Sequence, residues 1–133
     1  MIMKHYENYY QDCYVIWEEK VLKIGNDNIE RVWDLSEDIP VVCSLKNKRT
    51  QKEWLAAPDN YGMLDDSRMK YAFYKEGITE GSRQELSINS DTDDDCGIAR
   101  KALRVVVGLS YEAYLVEWIH IVYPQSMVLR SYI

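Results

Sequence analysis

The sequence has few of the residues that build metal sites or covalent scaffolds. Only three cysteines and two histidines occur among 133 residues. Cys13, Cys43 and Cys96 are odd in number and form no C-x-x-C pair, and His5 and His120 lie near opposite ends of the chain. Disulfide frameworks and zinc sites need paired cysteines or clustered ligands. We therefore expect free thiols, no metal and no cofactor.

Motifs of catalysis and phosphate binding are also missing. The chain has no H-E-x-x-H, no G-x-S-x-G, and neither of the glycine-rich patterns that cradle phosphates. A catalytic triad assembles in space and leaves no fixed spacing, so this absence bears only on local motifs. The sequence does not indicate a specific reaction.

Long apolar runs are absent as well. The longest, Tyr111 to Tyr123, is interrupted by Glu112, Glu117 and His120 and is shorter than the roughly 20 residues of a membrane-spanning helix. The first residues show no apolar run with a small-residue cleavage site, as a signal peptide would. We therefore expect a soluble protein of the reducing cytoplasm.

Tyrosine is abundant instead. The chain holds 11 tyrosines and four tryptophans against one phenylalanine, and 47% of its residues are hydrophobic. That content supports a folded core, and the length fits one globular domain spanning residues 1–133. Tyrosine and tryptophan rings each carry a polar group, so they suit half-buried surfaces and interfaces.

The acidic charge is concentrated in one part of the chain. The net charge is −6, with 22 acidic and 16 basic residues. Between Glu76 and Gly97 there are seven acidic residues and one basic residue, so this stretch alone accounts for the excess. Such a chain is not expected to bind nucleic acid directly or to bind an anionic membrane, because both repel negative charge.

The patterns predict an α+β fold, in which an antiparallel sheet packs against two or three helices and the C-terminal region is helical. Strands are predicted over Pro40–Leu45, which is β-branched after a proline, and over Met127–Ile133. A hairpin is predicted from Met69–Tyr74 and Gln84–Ile88, because apolar residues alternate in both. For the segment from Met3 to Ile24, helical spacing and a β-rich centre compete, and the sequence leaves both open.

Three helices are predicted from capping and periodicity. A short one should begin at Thr50, because Thr50 and Glu53 match a capping box. Gly97–Val107 has an amphipathic pattern, and the polar members of Tyr111–Tyr123 share one helical arc. The polar stretch Asn89–Asp95 is expected to be a solvated loop before the second of these helices.

Four aspartates in that stretch are the candidate partner-binding residues: Asp91, Asp93, Asp94 and Asp95. Their spacing resembles a calcium loop, but Cys96 replaces its required glycine and Ala102 replaces its final glutamate. The remaining interpretation is an acidic contact surface. Together with small size and many aromatic rings, it favours a protein that binds and inhibits or neutralises another macromolecule, as immunity proteins, antitoxins and phage inhibitors do. The expected partner is a protein with a basic surface.

Two alternatives stay open. One is a small enzyme or ligand-binding domain whose site includes His120 and Glu117, since residues three apart share a helical face. The other is a subunit whose tyrosines serve only self-association. A basic cluster (Lys46, Lys48, Arg49 and Lys52) is expected to be a solvated turn.

Overall fold

All regular structure in the described part of the chain is β-strand. The computed structural model describes residues 5–36, 40–54, 85–93, 101–111 and 115–133. Ten strands lie in these ranges: β1 (His5–Tyr10), β2 (Cys13–Glu18), β3 (Val21–Gly25), β4 (Ile29–Asp34), β5 (Val41–Asn47), β6 (Lys52–Glu53), β7 (Glu85–Asp93), β8 (Ala102–Ser110), β9 (Leu115–Val122) and β10 (Leu129–Tyr132).

The first six strands form one antiparallel meander in the order β1-β2-β3-β4-β5-β6. The β2–β3 connection is two residues, Glu19 and Lys20, with φ values of 51° and 65°. Positive φ at both central residues matches the twist of a hairpin. The pairing of β4 with β5 shifts between Val32 and Trp33, which is a β-bulge.

The last four strands form a second antiparallel sheet in the order β10-β9-β8-β7. β1 packs against β7 and β8, β2 against β8, and β3 against β9. Alternate residues of β8 fill the space between the sheets, and all four are fully buried: Leu103, Val105, Val107 and Leu109. The described residues therefore form a two-layer sandwich with one main core.

The predicted α+β class is wrong for the described residues, which contain no helix. Most of Gly97–Val107 lies in β8, and Tyr111–Tyr123 contributes β9. The C-terminal region, which was predicted to be helical, instead contributes the strands β8, β9 and β10. Three consecutive valines in β8, Val105–Val107, are β-branched residues that favour strands. The periodicity was ambiguous because apolar residues also lie on the outer face of this sheet, among them Ala102 and Ile121.

The open choice over Met3–Ile24 resolves as strands β1, β2 and most of β3 within its described residues. The predicted helix start at Thr50 is also wrong, because Thr50 lies in a turn that leads into β6. Glu53 does not cap a helix. Its carboxylate instead accepts hydrogen bonds from the Ser44 hydroxyl and, at 2.8 Å, from the backbone N–H of Leu45.

Two predicted strands are confirmed, since β5 matches Pro40–Leu45 and β10 matches Met127–Ile133. The segment Met69–Tyr74 and Gln84 lie outside the described residues, whereas Glu85–Ile88 of the predicted second strand lie in β7. The solvated loop predicted over Asn89–Asp95 is wrong through Asp93, because these residues continue β7 and pair with β8.

Candidate functional site

The structure places Asp91 and Asp93 in β7, a strand at one edge of the four-stranded sheet as described. Asp91 is exposed and lies opposite Arg104 of β8. It forms no ion pair with any described residue. Asp94 and Asp95 lie outside the described residues. The extended backbone of Asp91 and Asp93 differs from the winding loop that a calcium site of the EF-hand kind requires.

A polar bridge holds this edge in place. The Ser90 hydroxyl lies 2.6 Å from the Tyr6 hydroxyl and accepts a hydrogen bond of 2.8 Å from the Asn8 side-chain amide. Both partners belong to β1, which is the edge of the other sheet in the described structure. The edges of the two sheets are therefore tied side by side.

Exposed polar and acidic side chains line the outer face of β7. We call this strand edge the acidic edge and define it by the exposed Glu85, Asn89 and Asp91 and by the position of Asp93 in β7. On β1, Glu7 and the 55% exposed Tyr9 alternate with Tyr6 and Asn8, so they point to the outer face of the other sheet and are not part of the acidic edge. The Glu85, Asn89 and Asp91 side chains are exposed on β7. Carboxylates on a braced strand suit contact with a basic protein surface.

The structure does not bring His120 and Glu117 together. Both lie in β9, where residues three apart point to opposite faces of a sheet. Glu117 is exposed on the outer face, while His120 is fully buried between the sheets. The predicted pair depended on a helix that is absent here.

His120 is packed in an aromatic cluster. Its ring centroid lies 4.5 Å from that of Trp33 and 4.2 Å from that of Trp118. Its Nδ1 lies 2.8 Å from the Ser131 hydroxyl of β10. Burial, helped by the positive charge of Arg31, lowers the pKa of His120 from 6.5 to about 3. The imidazole is therefore neutral at physiological pH and is shielded from water.

Asn26 is an unexpected buried polar residue. Its side-chain oxygen accepts from the backbone N–H groups of Asn28 and Ile29 at 2.8 and 3.0 Å. Its amide donates to the carbonyls of Tyr123 and Ser126 at 2.8 and 2.7 Å. The side chain thus shapes the β3–β4 turn and ties it to the loop before β10. Gly25–Asn28 has the composition of a turn, but the local sequence carries no signal for these distant partners.

Part of the basic cluster has a structural role instead of being fully solvated. Lys48 Nζ donates to the Asn26 carbonyl at 2.9 Å and to the Tyr14 hydroxyl at 3.2 Å. The Tyr14 hydroxyl donates to the Glu30 carboxylate, passing over Gly25, where a β-carbon would lie 3.0 Å from that hydroxyl. Burial is the main cause of a raised pKa of the Tyr14 hydroxyl, and the hydrogen bond to the negatively charged Glu30 raises the pKa further. The predicted turn is present, and Lys48 anchors it.

Neither of the two described thiols, Cys13 and Cys43, has the surroundings of a reactive nucleophile. Cys13 is buried and its sulfur lies 3.5 Å from the Val122 carbonyl. Cys43 is half-buried, and burial followed by Asp34 raises the pKa of its thiol, which disfavours the reactive thiolate. Within the described ranges, no three histidine, cysteine or carboxylate side chains are grouped to hold a metal ion.

One open depression of about 320 Å³ is lined by Ile16, Glu18, Glu19, Val21 and Lys23.

Comparison with known proteins gives no assignment. No protein-family model matches this sequence, and no curated protein and no solved structure matches it. Among the described residues, no helix has the length and apolar character needed to cross a membrane.

Proposed function

We propose that this protein is a small cytoplasmic binding protein that occludes a basic surface of a protein partner through the acidic edge. The observation that carries the proposal is the exposed Asp91 on a strand whose position is fixed by the Ser90 bridge. Inhibition or neutralisation of a toxin or another basic protein is the activity this surface suits.

Two physical effects support a role for this edge in binding. Exposed carboxylates on a fixed backbone steer a basic partner before contact, which raises the association rate at low salt. A braced edge also loses little conformational freedom on binding, so less of the binding energy is spent on ordering it.

The test begins with a photo-crosslinking residue at Asn89, compared with the same residue at Lys23 on the outer face of the other sheet. A partner captured in the host's cells by the Asn89 variant and not by the Lys23 variant supports the proposal. The purified partner is then mixed with the protein, and the association rate is measured over a range of salt concentrations.

Two variants with the same change in net charge separate site from overall charge. The variant Asp91→Asn/Asp93→Asn should associate several-fold more slowly at low salt and show a weaker salt dependence. Its matched control, Glu18→Gln/Glu117→Gln, should associate at close to the original rate. Extension to Asp94→Asn and Asp95→Asn should increase the effect. Equal rates for the two double variants would overturn the proposal.

A further inference from the structure

The strand β10 forms the other edge of the four-stranded sheet as described, and it differs from β7 in chemistry. Its four residues include Arg130 and no carboxylate. Large apolar side chains in and beside it are exposed: Met127 by 41%, Val128 by 49%, Tyr132 by 43% and Ile133 by 42%. Natural edge strands are protected by charged side chains, proline, a bulge or a very short length. β10 is short and carries Arg130, but it has no proline and its pairing with β9 has no bulge.

We infer that β10 is a self-association edge, where a second copy of this chain adds its own β10 in antiparallel pairing. The occupant follows from the sequence of the strand. A two-fold axis through Ser131 would place Leu129 opposite Ile133 of the second copy and Arg130 opposite Tyr132. Such a contact is isologous, because each copy supplies the same surface.

The side chains match in this register. Leu129 packs against the main core, and the Ser131 hydroxyl meets His120 on the same inner face. Pairing opposite Leu129 would cover Ile133 with an apolar neighbour. On the outer face, a guanidinium would lie against a tyrosine ring, which is a favourable cation–π arrangement. No two charges of the same sign are directly opposite each other, so the edge complements itself.

The acidic edge lacks this property. A second β7 aligned in the same way would bring carboxylates of like charge close together, which is unfavourable. Self-association is therefore assigned to β10 and not to β7. A strand pair this short buries less surface than the roughly 1,000 Å² of a stable interface. The dimer is accordingly weak and forms at high protein concentration.

Mixed disulfide trapping tests the register. In a Cys43→Ser/Cys96→Ser background, the variants Arg130→Cys and Tyr132→Cys are purified separately and oxidised either alone or mixed. Opposed residues of paired strands lie within the Cα distance that a disulfide spans. The mixture should give cross-linked dimers, and each variant alone should give few. No cross-link in the mixture, or equal cross-linking of a single variant alone, would overturn the inference.

Sedimentation velocity from micromolar to millimolar concentration gives an independent measurement. The unmodified protein should shift from monomer towards dimer as its concentration rises. The variant Tyr132→Arg should remain monomeric, because its new arginine would face Arg130 of the second copy and the two positive charges would repel each other. Adding Arg130→Glu to that variant should restore dimerisation, because each glutamate then faces an arginine. Circular dichroism checks that each variant is folded. A protein that stays monomeric throughout, or a dimer that Tyr132→Arg does not weaken, would contradict the inference.

Discussion

At one edge of the four-stranded sheet, β7 is tied to β1 by half-buried side-chain hydrogen bonds, whereas the approach to β10 at the other edge is held by a buried amide. Ser90 makes the first connection to Tyr6 and Asn8. Asn26 makes the second, to the carbonyls of Tyr123 and Ser126. The first bridge joins half-buried side chains of two strands, and the second binds buried backbone groups.

This difference accompanies a difference in surface chemistry. The β7 edge exposes carboxylates, which would repel a second copy and would attract a cationic surface. The β10 edge exposes apolar groups beside Arg130. Because a buried polar group is costly to leave unpaired, the Asn26 bridge should contribute more to folding stability than the Ser90 bridge. The two edges can therefore be separated by mutation.

The largest expected effect is that of Asn26→Ala. The substitution removes four hydrogen bonds and leaves buried backbone groups unpaired, so the free energy of unfolding should fall by about 3–5 kcal/mol. Urea denaturation measures the change, and hydrogen exchange should increase first around β10. The adjacent exposed substitution Asp27→Ala should cost under about 1 kcal/mol. A similar loss for both variants would mean that the Asn26 bridge is not special.

The second-largest expected effect is a loss of folding stability in acid, caused by His120 beside β10. Folding holds its pKa at about 3, while the unfolded chain takes up a proton near pH 6.5. Its contribution is therefore full above pH 6.5 and is lost as pH falls from there towards 3. At pH 4.5 the loss is about 2–3 kcal/mol relative to pH 7.

The variant His120→Gln isolates this contribution, because it keeps a polar side chain and does not titrate. Its loss of stability between pH 7 and pH 4.5 should be smaller than that of the unmodified protein by the amount stated. The carboxylates titrate in both proteins and cancel in the comparison. Equal losses would show that His120 is not the acid-sensitive group.

The local sequence predicted the fold correctly where helical and strand patterns did not both fit the same residues. Val41–Cys43 after Pro40 predicted β5. β8 and β9 were missed because Ala102, Ile119 and Ile121 lie on the outer face of their sheet, where polar residues would have made the alternation clear.

The candidate site was only partly predictable for the same reason. The polarity of Asp91 predicted its exposure, but not its place in a strand. The pairing of His120 with Glu117 failed because a three-residue spacing joins side chains in a helix and separates them in a strand. The role of Asn26 had no local signal, since its partners Tyr123 and Ser126 lie 97 and 100 residues away.

A smaller loss is expected at the acidic edge from Ser90→Ala. This change removes two hydrogen bonds in a half-buried position that water can partly replace, so the free energy of unfolding should fall by about 1–2 kcal/mol. Ser87→Ala, on the exposed face of the same strand, is the matched control and should change stability by under about 0.5 kcal/mol. A cost at Ser90 equal to that at Asn26 would remove the contrast between the two edges.

The smallest expected effect is that of Asp91→Asn on folding. Its carboxylate is exposed and forms no ion pair with a described residue, so its removal should change the free energy of unfolding by under about 0.5 kcal/mol. Urea denaturation at low and high salt measures this directly. Near-zero change would let any effect of the substitution on partner association be assigned to charge steering and not to a weakened fold. A loss above about 1 kcal/mol would mean that Asp91 stabilises the sheet, and the acidic edge would then be a structural feature instead of a surface open to a partner.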